Sequence, residues 1–274
     1  MDLTSKTFIK NLLKKYGAQP SKRFGQNFLI SKSVLKKIIE TAALSPRDIV
    51  LEIGPGIGNL TQELAKRAKK VMAIEKDPKM VEILKETVGN LKNTEVVQGD
   101  ILKLKFPIPK NYKVVANLPY YIVSPVIRKF LEAVNVKPQS MVLMVQKEVA
   151  QRICAKPPDM NLLAISVQFY SKPEIVSYVS KKSFWPQPKV DSAIIKIIPR
   201  KSALKIRVNP LLFFRIVKLG FSHPRKQLIN NLSTGLKIDR EKIKTWLLKN
   251  RIKPTQRAET LTIKEWVKLV KNFK

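Results

Sequence analysis

Cysteine and histidine are almost absent from this sequence of 274 residues, and their scarcity excludes several kinds of site. Cys154 is the only cysteine and His223 is the only histidine. One cysteine cannot supply an intrachain disulfide framework or a cysteine-based zinc site. One histidine excludes a histidine-based metal site and any Ser-His-Asp triad built elsewhere in the chain. We therefore expect no metal centre, and the single thiol favours a reducing compartment.

Long apolar runs are also missing. No segment approaches the roughly 20 apolar residues that a membrane-spanning helix requires. The N-terminal segment MDLTSKTFIKNLLKKYG has neither the apolar centre nor the cleavage site of a signal peptide. A hydrophobic content of 44% still allows a full core without disulfide support. We therefore expect a soluble, cytoplasmic and monomeric protein without a membrane partner.

Acidic residues are few relative to basic ones. Lysine and arginine number 53 against 20 aspartate and glutamate, which gives a formal net charge of +33. Residues 201–274 hold 19 basic and 4 acidic residues, a net charge of +15, and residues 1–200 hold 34 and 16, a net charge of +18. This excess predicts a polyanionic partner, with nucleic acid favoured over an anionic membrane surface. A lysine-rich surface that serves solubility or heat resistance is the alternative.

Short apolar runs alternate with helical patterns over the first 200 residues. Strands are predicted at 49–53, 71–74, 95–98, 112–116, 141–145, 173–180 and 191–198. Helices are predicted at 6–16, from Ser31 or Ser33 to about 43, and at 60–70, 79–88 and 125–134. This alternation indicates right-handed βαβ units, an α/β fold and a mostly parallel sheet. The last two strands have no helix between them, so we expect an antiparallel pair at the end of the sheet.

After Pro199 the sequence predicts helices alone. They fall at 209–219, 226–232, 239–250 and 262–273. We therefore predict two domains, an α/β domain over 1–202 and a small, basic, all-α domain over 203–274. Residues 1–20 form a basic N-terminal extension of the first domain.

The segment 49-IVLEIGPGIGNLTQELA-65 runs from a strand through a glycine turn into a helix. Gly54, Gly56 and Gly58 let the backbone turn sharply and approach a ligand closely. A dinucleotide-binding turn requires a glycine at position 59, where this chain has Asn59. The E-x-G-x-G-x-G spacing instead favours a nucleoside ligand above the turn, as in methyltransferases that use S-adenosylmethionine (SAM).

Carboxylates follow the next strands at the positions where α/β sheets bind ligands. Glu75 ends the second strand, 21 residues after Gly54, where it can accept hydrogen bonds from ribose hydroxyls. Asp100 ends the third strand, where it can meet an adenine amino group. Glu52 can orient the glycine turn or the methionine end of the cofactor.

The fourth strand ends in the turn Asn117-Leu118-Pro119-Tyr120. The lone pair of an adenine amino group is conjugated into the ring, which makes the group a poor nucleophile. Two acceptors, the side-chain oxygen of Asn117 and the carbonyl of Leu118, can engage its N–H bonds and favour a pyramidal nitrogen. Pro119 stiffens the turn and Tyr120 offers a stacking face for a flipped base. The turn therefore predicts methyl transfer to an adenine by proximity and electrostatics.

These motifs together resemble the KsgA family of ribosomal RNA adenine dimethyltransferases. The resemblance covers about residues 15–261 and is carried by 23-RFGQNFL-29, 52-EIGPGIGNLT-61, 74-IEKD-77, 99-GDIL-102, 117-NLPY-120, 146-QKEVAQRI-153, 184-FWPQPKVDSAI-194 and 223-HPRKQLINNL-232. The combination of Q-N-F-L, N-L-P-Y and F-x-P-x-P-K-V-D-S is specific to that family, whereas the glycine turn is not. It implies a Rossmann-like SAM-dependent methyltransferase domain followed by a helical domain that binds ribosomal RNA.

The resemblance also implies how the cofactor is held. Gln26, Asn27 and the backbone of Leu29 would line its methionine and sugar side. Glu75 would hold the ribose and Asp100 the adenine. SAM would be the methyl donor and S-adenosylhomocysteine the product.

On the substrate side, the resemblance places Phe184 against the target base, opposite Tyr120. Asn117 would touch both the cofactor and the target amine, above Gly54 and Gly56. The implied substrate is a pair of adjacent adenosines in the 3′-terminal hairpin loop of small-subunit ribosomal RNA. Each would receive two methyl groups at N6 during assembly of the small subunit, with a partly assembled subunit as the partner.

One segment departs from the family pattern, and three alternatives remain. Family members usually carry a Tyr-Gly pair where this chain has Met160 and Asn161, which leaves that loop and its RNA contacts open. An Erm-type methyltransferase of large-subunit RNA is the nearest alternative, although such proteins more often carry an N-I-P-[YF] turn. The others are a non-catalytic RNA-binding assembly factor, which the intact site residues disfavour, and an NAD-dependent dehydrogenase, which Asn59 disfavours.

Overall fold

A seven-stranded sheet organises the first part of the chain in the computed structural model, which describes residues 1–104, 109–200 and 208–273. The strands are β1 (Phe28–Leu29), β2 (Ile49–Ile53), β3 (Lys70–Glu75), β4 (Thr94–Gln98), β5 (Tyr112–Asn117), β6 (Met141–Gln146), β7 (Ser171–Val179), β8 (Phe184–Trp185) and β9 (Ser192–Pro199). The large sheet has the order β4-β3-β2-β5-β6-β9-β7, and β1 pairs with β8 in a separate two-stranded sheet.

The strand order reverses at the centre of the large sheet. Strand β2 pairs in parallel with both β3 and β5, so β3 and β4 lie on one side of it and β5 and β6 on the other. Strand β9 runs antiparallel to β6, and β7 forms the edge beyond it. The predicted α/β fold with a mostly parallel sheet is therefore confirmed. A ligand crevice is expected at the carboxyl ends of β2 and β5, where the order reverses.

The central strands are apolar on both faces because helices cover them. Val50 and Val115 are fully buried in a core that helices complete with Ile38 and Leu64. Ala73 of β3 belongs to a second, smaller cluster, in which it packs against Leu84 and Val88 of the helix that follows β3. A strand buried on both sides has to be continuously hydrophobic, which is why these segments lack a polar alternation.

Eleven α-helices are present in the described residues. They are α1 (Lys6–Lys15), α2 (Lys32–Ala42), α3 (Asn59–Ala65), α4 (Pro78–Val88), α5 (Val123–Arg128), α6 (Lys147–Ile153), α7 (Leu162–Tyr170), α8 (Pro210–Gly220), α9 (Leu228–Leu236), α10 (Arg240–Lys249) and α11 (Ile263–Lys271). A π-helical turn over Lys129–Ala133 continues α5. Over the same described part of the chain, none of the helices has the length and apolarity needed to cross a membrane.

Helix boundaries follow local capping chemistry. The Ser31 hydroxyl accepts a hydrogen bond from the N–H of Val34 and begins α2, and Thr262 with Glu265 forms a capping box at α11. Helix α3 ends at Ala65, earlier than the predicted residue 70. The N–H of Lys69 already donates to the carbonyl of Asp48 at 2.8 Å, because the chain is turning there into β3.

The chain forms two compact units, one over residues 1–150 and 173–199 and the other over 151–172 and 200–274. The second unit is helical and includes α7, whose Phe169 stacks on Phe213 with ring centroids 4.3 Å apart. Both rings lie in a core that also buries Trp266. Residues 151–172 thus belong to the second unit, although the sequence placed them in the first domain, which was predicted to extend to residue 202. Residue 202 itself lies outside the described residues.

Helix α1 is part of the first unit's core, although it lies in the segment predicted to be a basic extension. Ile9 is fully buried, and Leu12 and Leu13 beside it are nearly so. They pack in one cluster with Ile57, which lies within the glycine turn, and Met80 of α4. The basic side chains of this segment therefore lie on a helix that the fold requires.

We expect Ile9→Ala to lower the free energy of unfolding by about 2–4 kcal/mol, because a large buried side chain is removed and a cavity remains. Urea denaturation followed by circular dichroism measures this change. Asn11→Ala is the matched control, since Asn11 is exposed on the same helix and its loss is expected to cost less than about 0.5 kcal/mol. Equal, small effects of the two substitutions would contradict the packing role of α1.

Candidate active site

A cleft of about 230 Å³ opens at the carboxyl ends of β2, β3 and β5. It lies at the reversal of strand order, where an α/β sheet is expected to bind its ligand. The cleft brings together all but one of the residues predicted from the sequence. Its lining includes Gln26, Asn27, Glu52, Gly54, Gly56, Glu75, Asp100, Asn117, Leu118, Pro119, Tyr120 and Phe184.

Leu29 is the exception. Its side chain is fully buried in the core beneath α2, and the cleft lining does not include it. Its backbone carbonyl accepts a hydrogen bond from the Asn59 side chain. Position 59, which departs from the dinucleotide pattern, therefore fastens β1 to the start of α3.

The three glycines of the turn all have positive φ, at 66° for Gly54, 57° for Gly56 and 88° for Gly58. Side chains other than glycine rarely adopt this conformation. A Cβ on Gly58 would also come within 2.8 Å of Leu84 of α4, so this glycine serves packing. A Cβ on Gly56 would lie 3.3 Å from the ring of Phe28, which lines the cleft on the opposite side.

The carboxylate of Glu75 joins the glycine turn to the turn after β3. Its Oε2 accepts from the N–H of Gly56 at 3.0 Å, and its Oε1 accepts from the N–H groups of Lys76 at 2.7 Å and Asp77 at 2.9 Å. The side chain is 7% exposed. Burial raises the pKa of Glu75, and the three N–H donors oppose that rise.

Asp77 extends this network to the loop before β1. Its Oδ1 accepts from the N–H of Lys79 and caps α4, while its Oδ2 accepts from the Gln26 side chain at 2.7 Å. The Gln26 oxygen in turn accepts from the N–H of Ser21 at 2.8 Å. Gln26 thus lines the cleft with both ends of its amide engaged in holding the loop.

Asp100 is paired with a lysine at the rim of the cleft. Lys76 Nζ lies 3.0 Å from Asp100 Oδ2, and the N–H of Leu102 donates to Oδ1 at 2.9 Å. Although burial pushes it upward, these two partners hold the pKa of Asp100 below its usual value. Lys129, at the start of the π-helical turn, donates to the carbonyl of Ile101 at 2.5 Å and fixes the segment that carries Asp100.

Glu52 lies at the bottom of the cleft, only 1% exposed, and its Oε2 has no hydrogen-bond partner among the described residues. Burial, with a smaller contribution from the neighbouring charge of Glu75, raises the pKa of Glu52 to about 8. The carboxyl is therefore mostly protonated near neutral pH. Glu52 and Glu75 are called the acidic floor below.

The turn after β5 is fixed by contacts with the loop before β1. Asn117 Nδ2 donates to the carbonyl of Asn27 at 3.2 Å, which orients the amide and leaves its oxygen Oδ1 available to accept. A Cβ on Gly25 would lie 3.3 Å from Pro119, so the two loops touch closely. Pro119 has φ of −55° and leads into a 3₁₀ turn over Tyr120–Ile122.

Tyr120 and Phe184 sit on the other side of this turn. The Tyr120 hydroxyl lies 2.8 Å from that of Ser192, a buried residue at the start of β9. Asp191 before it accepts at Oδ1 from the N–H of Lys181 at 3.0 Å. Phe184 borders the cleft but is only 2% exposed, and it packs in the core beneath α2.

Several residues of this region were missed by sequence reasoning. Phe28 lines the cleft and stacks on Trp185 with ring centroids 6.4 Å apart, a contact formed only when β1 pairs with β8. Asp77 could have been found, because an aspartate directly before Pro78 is a helix-start signal. Within the described ranges, no three or more His, Cys, Asp or Glu side chains are grouped to hold a metal ion.

Comparisons with known proteins agree on one family. A family model described as ribosomal RNA adenine dimethylase matches residues 17–274. A ribosomal RNA small subunit methyltransferase A from Dehalococcoides mccartyi strain CBDB1 is 47% identical over 266 residues, 95% of this chain and 90% of that protein. A protein of the same name from Alkaliphilus oremlandii strain OhILAs is 43% identical over 99% of this chain and 98% of that protein.

Two solved structures are similar over most of the chain. The crystal structure of a dimethyladenosine transferase from Plasmodium falciparum is 33% identical with a TM-score of 0.77, and the match covers 89% of this chain and 96% of that one. The crystal structure of the 23S rRNA methyltransferase ErmE is 28% identical with a TM-score of 0.73 and covers 89% and 98%.

We expect Glu52→Gln to raise the free energy of unfolding more at pH 8 than at pH 5. The folded-state pKa of Glu52, about 8, lies above its usual value of 4.5, so ionisation in the unfolded chain opposes folding increasingly as pH rises from 4.5 to 8. Each unit of difference between the pKa of the folded chain and that of the unfolded chain corresponds to about 1.4 kcal/mol in the free energy of unfolding. Urea denaturation of both proteins at the two pH values measures the effect, and an equal gain at both would contradict a buried neutral carboxyl.

Proposed function

Because this chain belongs to the ribosomal RNA adenine dimethylase family, we propose that it dimethylates N6 of two adjacent adenosines in small-subunit ribosomal RNA. The target would be the 3′-terminal hairpin loop, and the reaction would take place during assembly of the small subunit. The observation that carries the proposal is the orientation of Asn117, whose Nδ2 donates to the carbonyl of Asn27, so that within the described residues no hydrogen bond occupies its amide oxygen beside the cleft.

The small subunit is favoured over the large one. Relatives at 43–47% identity over nearly the whole chain are named small-subunit enzymes, whereas the likeness to a 23S rRNA methyltransferase is 28%. The N-L-P-Y turn and the F-W-P-Q-P-K-V-D-S segment agree with the first group. RNA of the small subunit is therefore the proposed substrate.

The cleft fits SAM as the methyl donor. When bound, SAM supplies a sulfonium methyl group, and transfer leaves S-adenosylhomocysteine. Oε2 of Glu52, buried beneath the cleft and unpartnered among the described residues, would accept a hydrogen bond from the ligand. The glycine turn leaves room for a ligand where a side chain on Gly56 would crowd Phe28. Gln26, Asn27 and Gly54 would complete the walls around it, with Leu29 behind them.

Glu75 and Asp100 would hold the nucleoside part. Oε1 of Glu75 already accepts from two backbone N–H groups, whereas Oε2 accepts from one and can accept again from a ribose hydroxyl, because a carboxylate oxygen has two acceptor sites. Asp100 Oδ2 would exchange Lys76, half exposed at the rim, for the adenine amino group. This exchange would keep the carboxylate paired throughout.

Asn117 Oδ1 and the carbonyl of Leu118 would accept hydrogen bonds from the target amine. These bonds favour a pyramidal nitrogen whose lone pair points at the methyl group, and positioning of this kind is the main source of rate. The amine proton becomes acidic once nitrogen is methylated and leaves to water. The hydrogen bond between the hydroxyls of Tyr120 and Ser192 fixes the ring on which the flipped base would stack. Phe184 would meet the opposite face of the base after a small movement out of the core.

We expect labelled SAM and unmethylated small ribosomal subunits to give N6-dimethyladenosine in the 3′-terminal hairpin loop. Mass spectrometry of the purified RNA locates the modification, and unmethylated large subunits are the matched control. Transfer to the large subunit alone would overturn the substrate assignment. RNA binding without any transfer would support a non-catalytic assembly factor instead.

We expect Asn117→Ala to lower kcat by about 10²- to 10³-fold, as is usual when an acceptor or donor to the reacting group is removed. Binding of small subunits should be unchanged, since the acceptor acts on one amine only. Asn135→Ala is the control, because Asn135 is exposed and outside the cleft lining. A kcat within threefold of the unsubstituted protein would refute the role of Asn117.

A further inference from the structure

An exposed aromatic ring with a cation above it lies near the target side of the cleft. Tyr178 of β7 is 55% exposed, and Lys147 Nζ lies 5.2 Å from its ring centroid. Lys147 is itself exposed at the start of α6. An exposed ring beside a cation is the combination with which proteins bind single-stranded nucleic acid, by stacking a base and neutralising a phosphate.

Backbone contacts connect this pair to the site of the flipped base. The N–H of Lys147 donates to the carbonyl of Asp191 at 3.0 Å. The next residue, Ser192, lies opposite Gln146 in the β6–β9 register and contacts the Tyr120 hydroxyl. Lys147 follows the carboxyl end of β6, just as Asn117 ends the neighbouring β5. The pair and the catalytic turn thus occupy the same edge of the sheet.

The charges around the pair favour an anionic partner. Lys181 and Lys182 form the turn whose backbone binds the Asp191 carboxylate, so that carboxylate is already engaged. Glu148 is the acidic neighbour of Lys147 on α6. Three lysines therefore stand against the carboxylates of Asp191 and Glu148, and an RNA phosphate complements the remaining positive charge.

We propose that Tyr178 and Lys147 form a platform for the nucleotide adjoining the target adenosine. The base of that nucleotide stacks on the open face of Tyr178, and the Lys147 ammonium binds its phosphate. Lys147 covers the other face of the ring and holds it in place. The inference rests on the proposed function and deepens it, since it assigns a binding site for RNA beside the base being methylated.

This platform makes contacts in the ground state and does not touch the reacting atoms. Its loss should therefore raise KM for small subunits and leave kcat nearly unchanged. A residue that acted through Tyr120 on the chemical step would lower kcat instead. The division between KM and kcat thus separates a binding platform from a positioning role.

Tyr178→Ala is expected to raise KM for unmethylated small subunits about tenfold, within the range that base–aromatic stacking supplies. Tyr178→Phe keeps the ring and should leave KM within about twofold of the unsubstituted protein. The dissociation constant of SAM, measured by calorimetry, should not change in either variant. Unchanged thermal melting would confirm that the exposed substitution leaves the fold intact.

Lys147→Gln is expected to reduce the slope of log affinity against log salt by about 0.7–0.9, the value for one lost phosphate contact. Lys92→Gln is the matched control, because Lys92 is exposed just before the amino end of β4, at the opposite edge of the sheet. The control should leave the slope unchanged. Sedimentation of the protein with small subunits at several salt concentrations gives both slopes without any methyl transfer.

The outcomes distinguish the platform from the proposed function. Methylation of small subunits with an unchanged KM in Tyr178→Ala would overturn the platform and leave the function standing. Equal salt slopes for the two lysine variants would overturn it as well. Absence of methylation by the unsubstituted protein would refute the proposed function. The salt slopes from sedimentation do not depend on methyl transfer, so they would still test whether Lys147 binds a phosphate.

Discussion

The carboxylate of Glu75 is the constraint on which the geometry of the cleft depends. Its two oxygens accept from the glycine turn on one side and from the turn after β3 on the other. Asp77, held in the second turn, then fixes Gln26 and the loop before β1. That loop in turn supplies the carbonyl that orients Asn117. One buried acid thereby connects the glycine turn, the turn after β3, the loop before β1 and the turn after β5, and backbone donors offset its desolvation.

Much of the fold and the site follows from the order of apolar runs and the residues just after them. The five predicted parallel strands were placed to within one or two residues, and for all but the edge strand β4 the reason is that a strand buried on both faces leaves a short continuous apolar run. Carboxyl ends of parallel strands meet at one edge, so the residues after 53, 75, 98 and 117 had to converge. Right-handed βαβ crossovers limit the strand orders that a sheet can have, and the observed order brings these strand ends together.

What the sequence did not reveal depends on contacts between distant segments. The pairing of β1 with β8 involves two residues on each strand, too few for any periodicity, and it alone brings Phe28 to the cleft. The burial of Ile9 depends on surfaces of α4 and the glycine turn that form only in the folded chain. Leu29 shares a motif with Gln26 and Asn27, yet strand alternation and the Asn59 hydrogen bond turn it toward the core.

The acidic floor has a consequence for how an RNA strand can enter. In a chain with a net charge of +33, the deepest part of this cleft carries carboxyl groups, while Lys76 lies at its margin. A phosphate is attracted to the lysine at the margin and repelled by the Glu75 carboxylate below it, whereas an uncharged nucleobase is not repelled. The electrostatic potential therefore favours a nucleotide that keeps its phosphate at the margin of the cleft and inserts its base into the cleft. Attraction of the RNA backbone, which does not depend on base sequence, therefore takes place at the margin, and selection of the base takes place deeper in the cleft.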